Sequence, residues 1–565
     1  MNLGTLNHRL LRAGLYCILA LPLCADSKKK SDDLPSGTGP GATALIDVIV
    51  QFDSESDKDS KEVKDSGEVK KTYSNVNAMH MRLPASAVDA LSKKKGVKFV
   101  SPNRKITKKL EYAQPAVFAD IAYSYGWTGQ GIGVAVIDSG VTQHGDLMNG
   151  TTSRLVYSES FVTGDTSTAD AYGHGTHVAG IVAGDATLST GALFTRKFQG
   201  IAPRANIINL RVLDANGSGD DASVIAAIDR AIQLKAQYNI RVMNLSLGRQ
   251  IRESFTVDPL CQAVERAWKA GIVVVVAAGN RGRDNTLGTG GYGTIGSPGN
   301  SPWVITVGAM RDNGTTVRAD DRMATYSSKG PSVVDTIVKP DVVAPGNKVI
   351  AAMTAPSTLV TNNPANVVLQ SYYKVGGANA AGSYLSLSGT SMATPVVAGA
   401  AALMLQKDPT LTPDTVKARL MRTATKTGLP SVETVVDSTG ATYTVHYDLF
   451  TIGSGYVDIL AALNSTETAP GKRALSPKAV FNSATKTTSV NLISVAGENV
   501  VWGDTVWPTN VVWGDTVLQG NNVVWGDNVI WGDSTSGAFN VVWGDNVVWG
   551  DSTHFPEGLS VKGDK

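Results

Sequence analysis

A chain of 565 residues, 42% of them hydrophobic, exceeds what one small core needs, so one large domain with appendages or several domains is expected. Lys and Arg number 51 against 49 Asp and Glu, and this near-neutral balance supplies no field for gathering nucleic acid, which is excluded as a partner. The 58 glycines point to tight turns and close backbone approaches rather than a helical bundle.

Residues 1–25 carry His8, Arg9 and Arg12, then an apolar run from Leu15 to Leu23 broken by Pro22, then small residues around Ala25. This is the pattern of a signal peptide cleaved near Ala25, so a secreted or extracellular protein is expected. The run is far shorter than the roughly 20 residues that cross a bilayer, and no later segment is long enough, so no membrane span is expected in the mature form. Leu23 is too large for the small-residue context that would lipidate Cys24. Removal of the signal leaves Cys261 without a disulfide partner; it shares a helix face with Val264 and Trp268, as a buried structural thiol would.

Residues 26–42, polar and rich in Ser, Gly and Pro, read as a linker. Residues 43–112 form a small α+β domain with a strand at Leu45 to Phe52, a solvated charged insertion from Asp53 to Lys71, a strand at Ala78 to Leu83, a helix at Ala85 to Lys94 and a strand at Val97 to Ser101. Its basic exit, Arg104 to Lys109, leads into a processing segment at Leu110 to Gln114.

Over residues 113–463, Val- and Ile-rich runs alternate with amphipathic segments, the pattern of parallel strands joined by helical crossovers. Strands are placed at Gly133 to Asp138, Ile207 to Leu213, Val242 to Ser246, Ile272 to Ala278 and Val304 to Ala309. Helices are placed at Ser223 to Lys235, with Ile225, Ile228 and Ile232 inward, and at Leu260 to Lys269, with Leu260, Val264 and Trp268 inward. The fold class is α/β, a three-layer sandwich with a mostly parallel sheet. Residues 464–500 read as a connector, residues 501–551 repeat Val-Val/Ile-Trp-Gly-Asp around Trp502, Trp513, Trp525, Trp531, Trp543 and Trp549, and residues 552–565 are a polar tail. The repeats favour short strands or irregular turns; a structural or surface-attachment module and specific binding to substrate or glycan both remain open for them.

Peptide hydrolysis at neutral pH needs a nucleophile, a base, a group that orients the base and donors for the developing oxyanion. Gly133 to Gly140 is a buried strand running into Asp138 at its C-terminal edge, which suits the orienting group. In Gly173-His174-Gly175-Thr176-His177, small residues let a helix begin close beneath an imidazole, so His174 is the candidate base and His177 structural. A zinc site there lacks both a Glu after the first His and a third ligand. Ser388-Gly389-Thr390-Ser391-Met392-Ala393-Thr394-Pro395 sets Ser391 at the first turn of a small-residue helix, where its backbone N–H can also serve an oxyanion. Asn280, after the strand that ends in Ala277-Ala278-Gly279, supplies a second oxyanion donor.

These segments, in the order Asp, His, Asn, Ser, resemble those of the subtilisin-type serine proteases over roughly residues 115–463, and match neither chymotrypsin-like enzymes nor α/β-hydrolases in order. The resemblance implies a serine endopeptidase of broad specificity that works through an acyl-enzyme and needs no cofactor for catalysis. It places substrate-binding edges at Gly217, Ser218 and Gly219 and at Ser246, Leu247 and Gly248, with Ala277, Ala278 and Gly279 as an apolar pocket wall. Arg281 and Arg283, if they rim that pocket, would favour an acidic side chain. Residues 43–112 resemble the family's inhibitory propeptide, which makes the chain's own propeptide a partner in cis beside protein and peptide substrates, and the chain a self-processing zymogen. Family members often bind structural calcium, and Asp146 matches one ligand position, although the loop from Gly184 to Phe198 shows no oxygen-rich pattern. The rival reading, a non-catalytic surface protein using the fold as a platform for the repeats, would be favoured by loss of a triad member, and none is lost.

Overall fold

The computed structural model describes residues 29–31, 34, 42–73, 77–103, 113–286, 288–426, 428–437, 439–469, 474–482, 487–491 and 564. The signal-peptide reading, the Leu110 cleavage region and the Trp-Gly-Asp repeats lie outside these residues. Two compact units divide the chain, residues 1–107 and 108–565.

The first unit is an antiparallel sheet of strands β1 (Leu45–Phe52), β2 (Glu68–Thr72), β3 (Ala78–Pro84) and β4 (Val97–Pro102), in the order β2-β3-β1-β4. Alternation sends Val48, Val50, Met79, Met81 and Leu83 to one face, where Val88 and Leu91 of a short helix close the core. Two expectations need correction. The segment from Asp53 to Lys71 is no solvated insertion, because Val63 joins the core and its end pairs with β3 as the edge strand β2. Residues 29–31, assigned to a linker, run beside β4 through hydrogen bonds between Ser31 N and Val100 O and between Val100 N and Lys29 O.

The second unit is built on an eight-stranded sheet: β5 (Gly133–Asp138), β6 (Leu155–Ser160), β7 (Asn206–Arg211), β8 (Ile240–Leu245), β9 (Val273–Ala277), β10 (Ile305–Arg311), β11 (Arg322–Met323) and β12 (Val342–Pro345). The order is β11-β10-β9-β8-β5-β7-β6, with β12 also paired to β10; only β11 runs antiparallel to its neighbour. Every residue of β5 and β9 is buried, as strands covered on both faces by helices must be. Helices α1 (Gly175–Ala183) and α4 (Thr390–Lys407) are apolar nearly all round and buried, while α2 (Asp221–Tyr238), α3 (Pro259–Lys269) and α5 (Pro413–Thr423) are amphipathic. The result is a three-layer α/β fold.

Helix α2 presents Val224, Ala227, Ile228 and Ala231 to the core, while Ile225 and Ile232, expected inward, are only partly buried at its margin. Close packing on the sheet selects the smaller stripe. The expected connector after residue 463 is also partly core: Ala469, Ala474 and Leu475 are buried, and Ala479 N bonds to Thr336 O.

A polar cluster ties the sheet to α5. Lys339 Nζ lies 2.7 Å from Asp341 Oδ2 and Lys417 Nζ 3.2 Å from Asp341 Oδ1, with all three side chains at 0% exposure. Lys417 also donates to the carbonyls of Pro302 and Val304 and to Ser476 Oγ. Burial pulls Lys339 down to about 7, and likewise Lys329 and Lys426 to about 8. Between those values and the ordinary 10.5, the unfolded chain holds protons that the folded chain has released, so stability rises with pH. The buried Cys261 thiol, pushed up by burial, opposes with one proton against three, and above about pH 10 buried tyrosines such as Tyr326 reverse the slope. The urea midpoint of the chain is therefore expected to be higher at about pH 9.5 than at about pH 7.5; a lower midpoint would contradict this.

Candidate active site

Strand β5 delivers Asp138 to the C-terminal edge of the sheet, between β8 and β7. Asp138 Oδ1 stands 2.6 Å from His174 Nδ1 and accepts the Ser139 N–H at 2.7 Å; both side chains of the Asp–His pair are wholly buried. A neutral imidazole that donates from Nδ1 to this carboxylate has Nε2 as its acceptor. His174 stands at the N-cap of α1, and the next residue has to be glycine: a Cβ at Gly175 would lie 2.1 Å from Gly140 O and 3.2 Å from Asp138 Cβ. Asp170, which the sequence reading passed over, fixes this helix start. Its carboxylate accepts N–H groups of Gly173 and Thr176 and the Ser139 hydroxyl, although burial raises its pKa. An acidic residue just ahead of a small-residue helix was the available signal.

Helix α4 carries Ser391 in its first turn. Pro395, four residues on, has no N–H to offer the Ser391 carbonyl, and Ser246 Oγ bonds to that carbonyl instead at 2.8 Å. The Ser391 hydroxyl donates in return to Ser246 O at 3.2 Å, so the end of β8 and the start of α4 are joined twice. Thr390, also missed as an isolated polar residue, fixes the neighbouring loop: its N–H and hydroxyl reach Asn280 Oδ1 at 2.8 and 3.1 Å, and its Oγ1 accepts from Gly279 N. The oxygen end of the Asn280 amide is thereby held, and the amide borders Gly389, where a Cβ would stand 3.5 Å from Nδ2 and 3.7 Å from Oδ1.

Asp138 and His174 are brought into contact, Ser391 is hydrogen-bonded to Ser246, and Thr390 is hydrogen-bonded to Asn280. The imidazole and the hydroxyl are not bonded to each other: His174 Nε2 has no hydrogen-bond partner, and Ser391 Oγ faces the Ser246 carbonyl. Such bonds often tighten only when substrate is bound.

Gly217, Ser218 and Gly219 form a turn closed by Asp214, whose side chain accepts the N–H groups of Asn216 and Ser218; Gly217 has φ +75°. Ser246, Leu247 and Gly248 leave β8 buried, and Arg249 then pairs with Ser297. Ala277 ends β9; Ala278 N donates to Val307 O, and Gly279 O accepts from Ser328 N, so this wall is tied into the sheet. Neither arginine stands as an unanswered charge at its rim, because Arg281 pairs with Asp284 at 2.7 Å and Arg283 with Asp437 and Asp564. His177 is structural: its Nε2 bonds to the carbonyls of Val349 and Leu385, and burial lowers it to about 3.

The calcium expectation at Asp146 does not fit. Its two carboxylate oxygens face donors, Leu188 N and the Tyr384 hydroxyl, each at 2.7 Å, where a cation needs converging acceptors. Among the described residues no three His, Cys, Asp or Glu side chains gather as a metal site. Among the described residues, too, no helix is long and apolar enough to cross a membrane.

Residues 129–441 match the model of the subtilase family, Peptidase_S8. Serine protease AprX of Bacillus subtilis (strain 168) is 39% identical over 360 residues, 62% of this chain and 75% of that protein. Subtilisin DY of Bacillus licheniformis is 36% identical over 319 residues, 56% of this chain and 92% of the relative, and subtilisin E of Bacillus subtilis (strain 168) is 34% identical over 367 residues, 64% and 79%.

Proposed function

The chain belongs to the subtilase family and is a serine endopeptidase, and from that premise we propose that Ser391 is its nucleophile, His174 its general base, Asp138 the residue that orients the base, and Asn280 with the Ser391 N–H its oxyanion donors. The observation that carries this reading is the buried 2.6 Å contact of Asp138 with His174 Nδ1, beside an Nε2 that has no partner.

On substrate binding, Ser391 Oγ gives its proton to His174 Nε2 and attacks the scissile carbonyl, whose oxygen becomes negative between the Asn280 amide and the Ser391 N–H. The C–N bond then breaks as His174 returns the proton to the leaving amine, leaving an ester on Ser391. Water repeats the sequence: His174 takes its proton, the hydroxide attacks the ester, and the serine regains a proton as the acid departs. Asp138 stays ionised throughout and stabilises the imidazolium. No step calls on a cofactor.

Substrate pairs in extended form with the edges at Gly217 to Gly219 and Ser246 to Gly248, so recognition reads backbone shape and specificity is broad, with an apolar preference set by Ala277, Ala278 and Gly279. Secretion rests on the leader pattern of residues 1–25. Self-processing rests on the separate core of the first unit and on the basic segment that follows it. A Ser391→Ala chain purified alone is expected to keep residues 43–112 joined to the second unit; cleavage near Leu110 without the hydroxyl would overturn self-processing.

Asn280→Ala tests the oxyanion assignment. It is expected to lower kcat by about 10²–10³, the cost that loss of the same donor has in subtilisin, with KM changed little. A fall confined to KM would assign Asn280 to binding instead.

A further inference from the structure

The proposed hydrolytic steps use no residue of the Trp-Gly-Asp tail, yet Asp564, which follows the repeats, sits in a built site on the second unit. Its side chain is at 0% exposure. Oδ1 lies 2.7 Å from Arg283 Nη2 and accepts the Thr325 hydroxyl at 2.7 Å, and Oδ2 accepts the Thr325 N–H at 2.8 Å. Both backbone groups are met by one amide: Asp564 N donates to Asn347 Oδ1 at 3.1 Å and Asp564 O accepts from Asn347 Nδ2 at 3.4 Å. A bridge to Asp437 continues the pairing.

The receiving side chains are themselves fixed. Arg283 Nε bonds to Thr325 Oγ1, its Nη1 lies 3.4 Å from Asp437 Oδ2, and its guanidinium packs against the rings of Tyr326 and Tyr443. Thr325 is 1% and Asn347 7% exposed. The arrangement reads a carboxylate by charge and by two donors, and reads the attached backbone by a side-chain amide, which is how a peptide aspartate is distinguished from a free anion.

We propose that Arg283, Thr325 and Asn347 form a receptor for a peptide aspartate, occupied by the chain's own Asp564, so that the tail is clamped to the catalytic unit at this residue. The near end is held already: Val338 N bonds to Pro477 O and Ala479 N to Thr336 O, and the strand Lys478–Asn482 pairs with Thr487–Asn491. The ligand chemistry belongs to the tail itself, since each of the six Trp-Gly-Asp repeats carries the same Gly-Asp dipeptide. The site also adjoins the candidate oxyanion loop: Tyr326 follows Thr325 and bonds to Gly346 O, and Gly346 O in turn accepts Gly389 N.

The test uses the full chain carrying Ser391→Ala, which stops self-digestion, with and without Asp564→Ala or Arg283→Gln. Amide exchange followed by mass spectrometry is expected to speed up by about tenfold or more at Thr325 and at residue 564 in both variants, as loss of a charge-assisted hydrogen bond requires. Asp564→Ala alters only a residue next to the chain end, so it remains informative if Arg283→Gln misfolds. Adding the peptide Val-Lys-Gly-Asp-Lys to the Asp564→Ala chain is expected to restore protection at Thr325, and Val-Lys-Gly-Asn-Lys to fail. Unchanged exchange in Asp564→Ala, or equal rescue by the two peptides, would overturn the proposal.

Discussion

Replacing Ser391 with alanine is expected to lower kcat on casein by about 10⁶-fold while leaving the fold intact, the scale that loss of the nucleophile has in subtilisin itself. The physical reason is local. Ser391 Oγ is the only group the substitution removes, and its hydrogen bond to Ser246 O is replaceable by water, whereas the helix start, the Ser246 bond to the Ser391 carbonyl and the Asn280–Thr390 bonds all run through atoms that alanine at this position leaves in place. His174→Ala should cost about as much, and the double variant little more than either alone, because base and nucleophile act as a unit. Independent, multiplying losses would show that the imidazole and the hydroxyl do not share a proton.

The largest stability effect is expected at Asp341, far in sequence from any candidate catalytic side chain. Asp341 is a carboxylate set between two buried lysines, it also accepts Thr306 N and Ser476 Oγ, and below about pH 7 it faces Lys339 in its charged form. Below about pH 7, removing its charge by Asp341→Asn leaves the Lys339 ammonium at 0% exposure with a carbonyl acceptor but without its carboxylate. Breaking a buried pair in this way costs about 3–5 kcal/mol, against a total stability of about 5–15 kcal/mol for a typical domain. Urea unfolding of the Ser391→Ala chain with and without Asp341→Asn measures it. A change below about 1 kcal/mol would mean that the lysines lose their protons without cost and that the cluster is not an ionic anchor.

The elements that carry the candidate site were more legible in the sequence than the supports beneath them. Strand β5 was found at its observed bounds because a Val- and Ile-rich run ends on a charged residue, a change that only a strand edge tolerates. Residues 173–177 and 388–395 announce helix starts because glycine and small side chains crowd there, and the Gly175 approach to Gly140 O gives the steric reason. The face of α2 was misread because three isoleucines at helical spacing outweigh Val224, Ala227 and Ala231 in hydrophobicity, while close packing on the sheet favours the smaller residues. Asp170, Thr390 and the Lys339–Asp341–Lys417 cluster were invisible because each is an ordinary polar residue in sequence, and only the tertiary fold brings its partners to it. Asp146 misled in the opposite direction: a position that matches a calcium ligand is here satisfied by a tyrosine hydroxyl and a backbone N–H.

Covalent labelling tests the central claim most directly. A fluorophosphonate probe reacts only with a serine whose proton a neighbouring base can take, so the matured protein should carry one adduct, mapped by peptide mass to Ser391 and abolished by His174→Ala. An adduct on another serine, or labelling that survives loss of His174, would contradict the account.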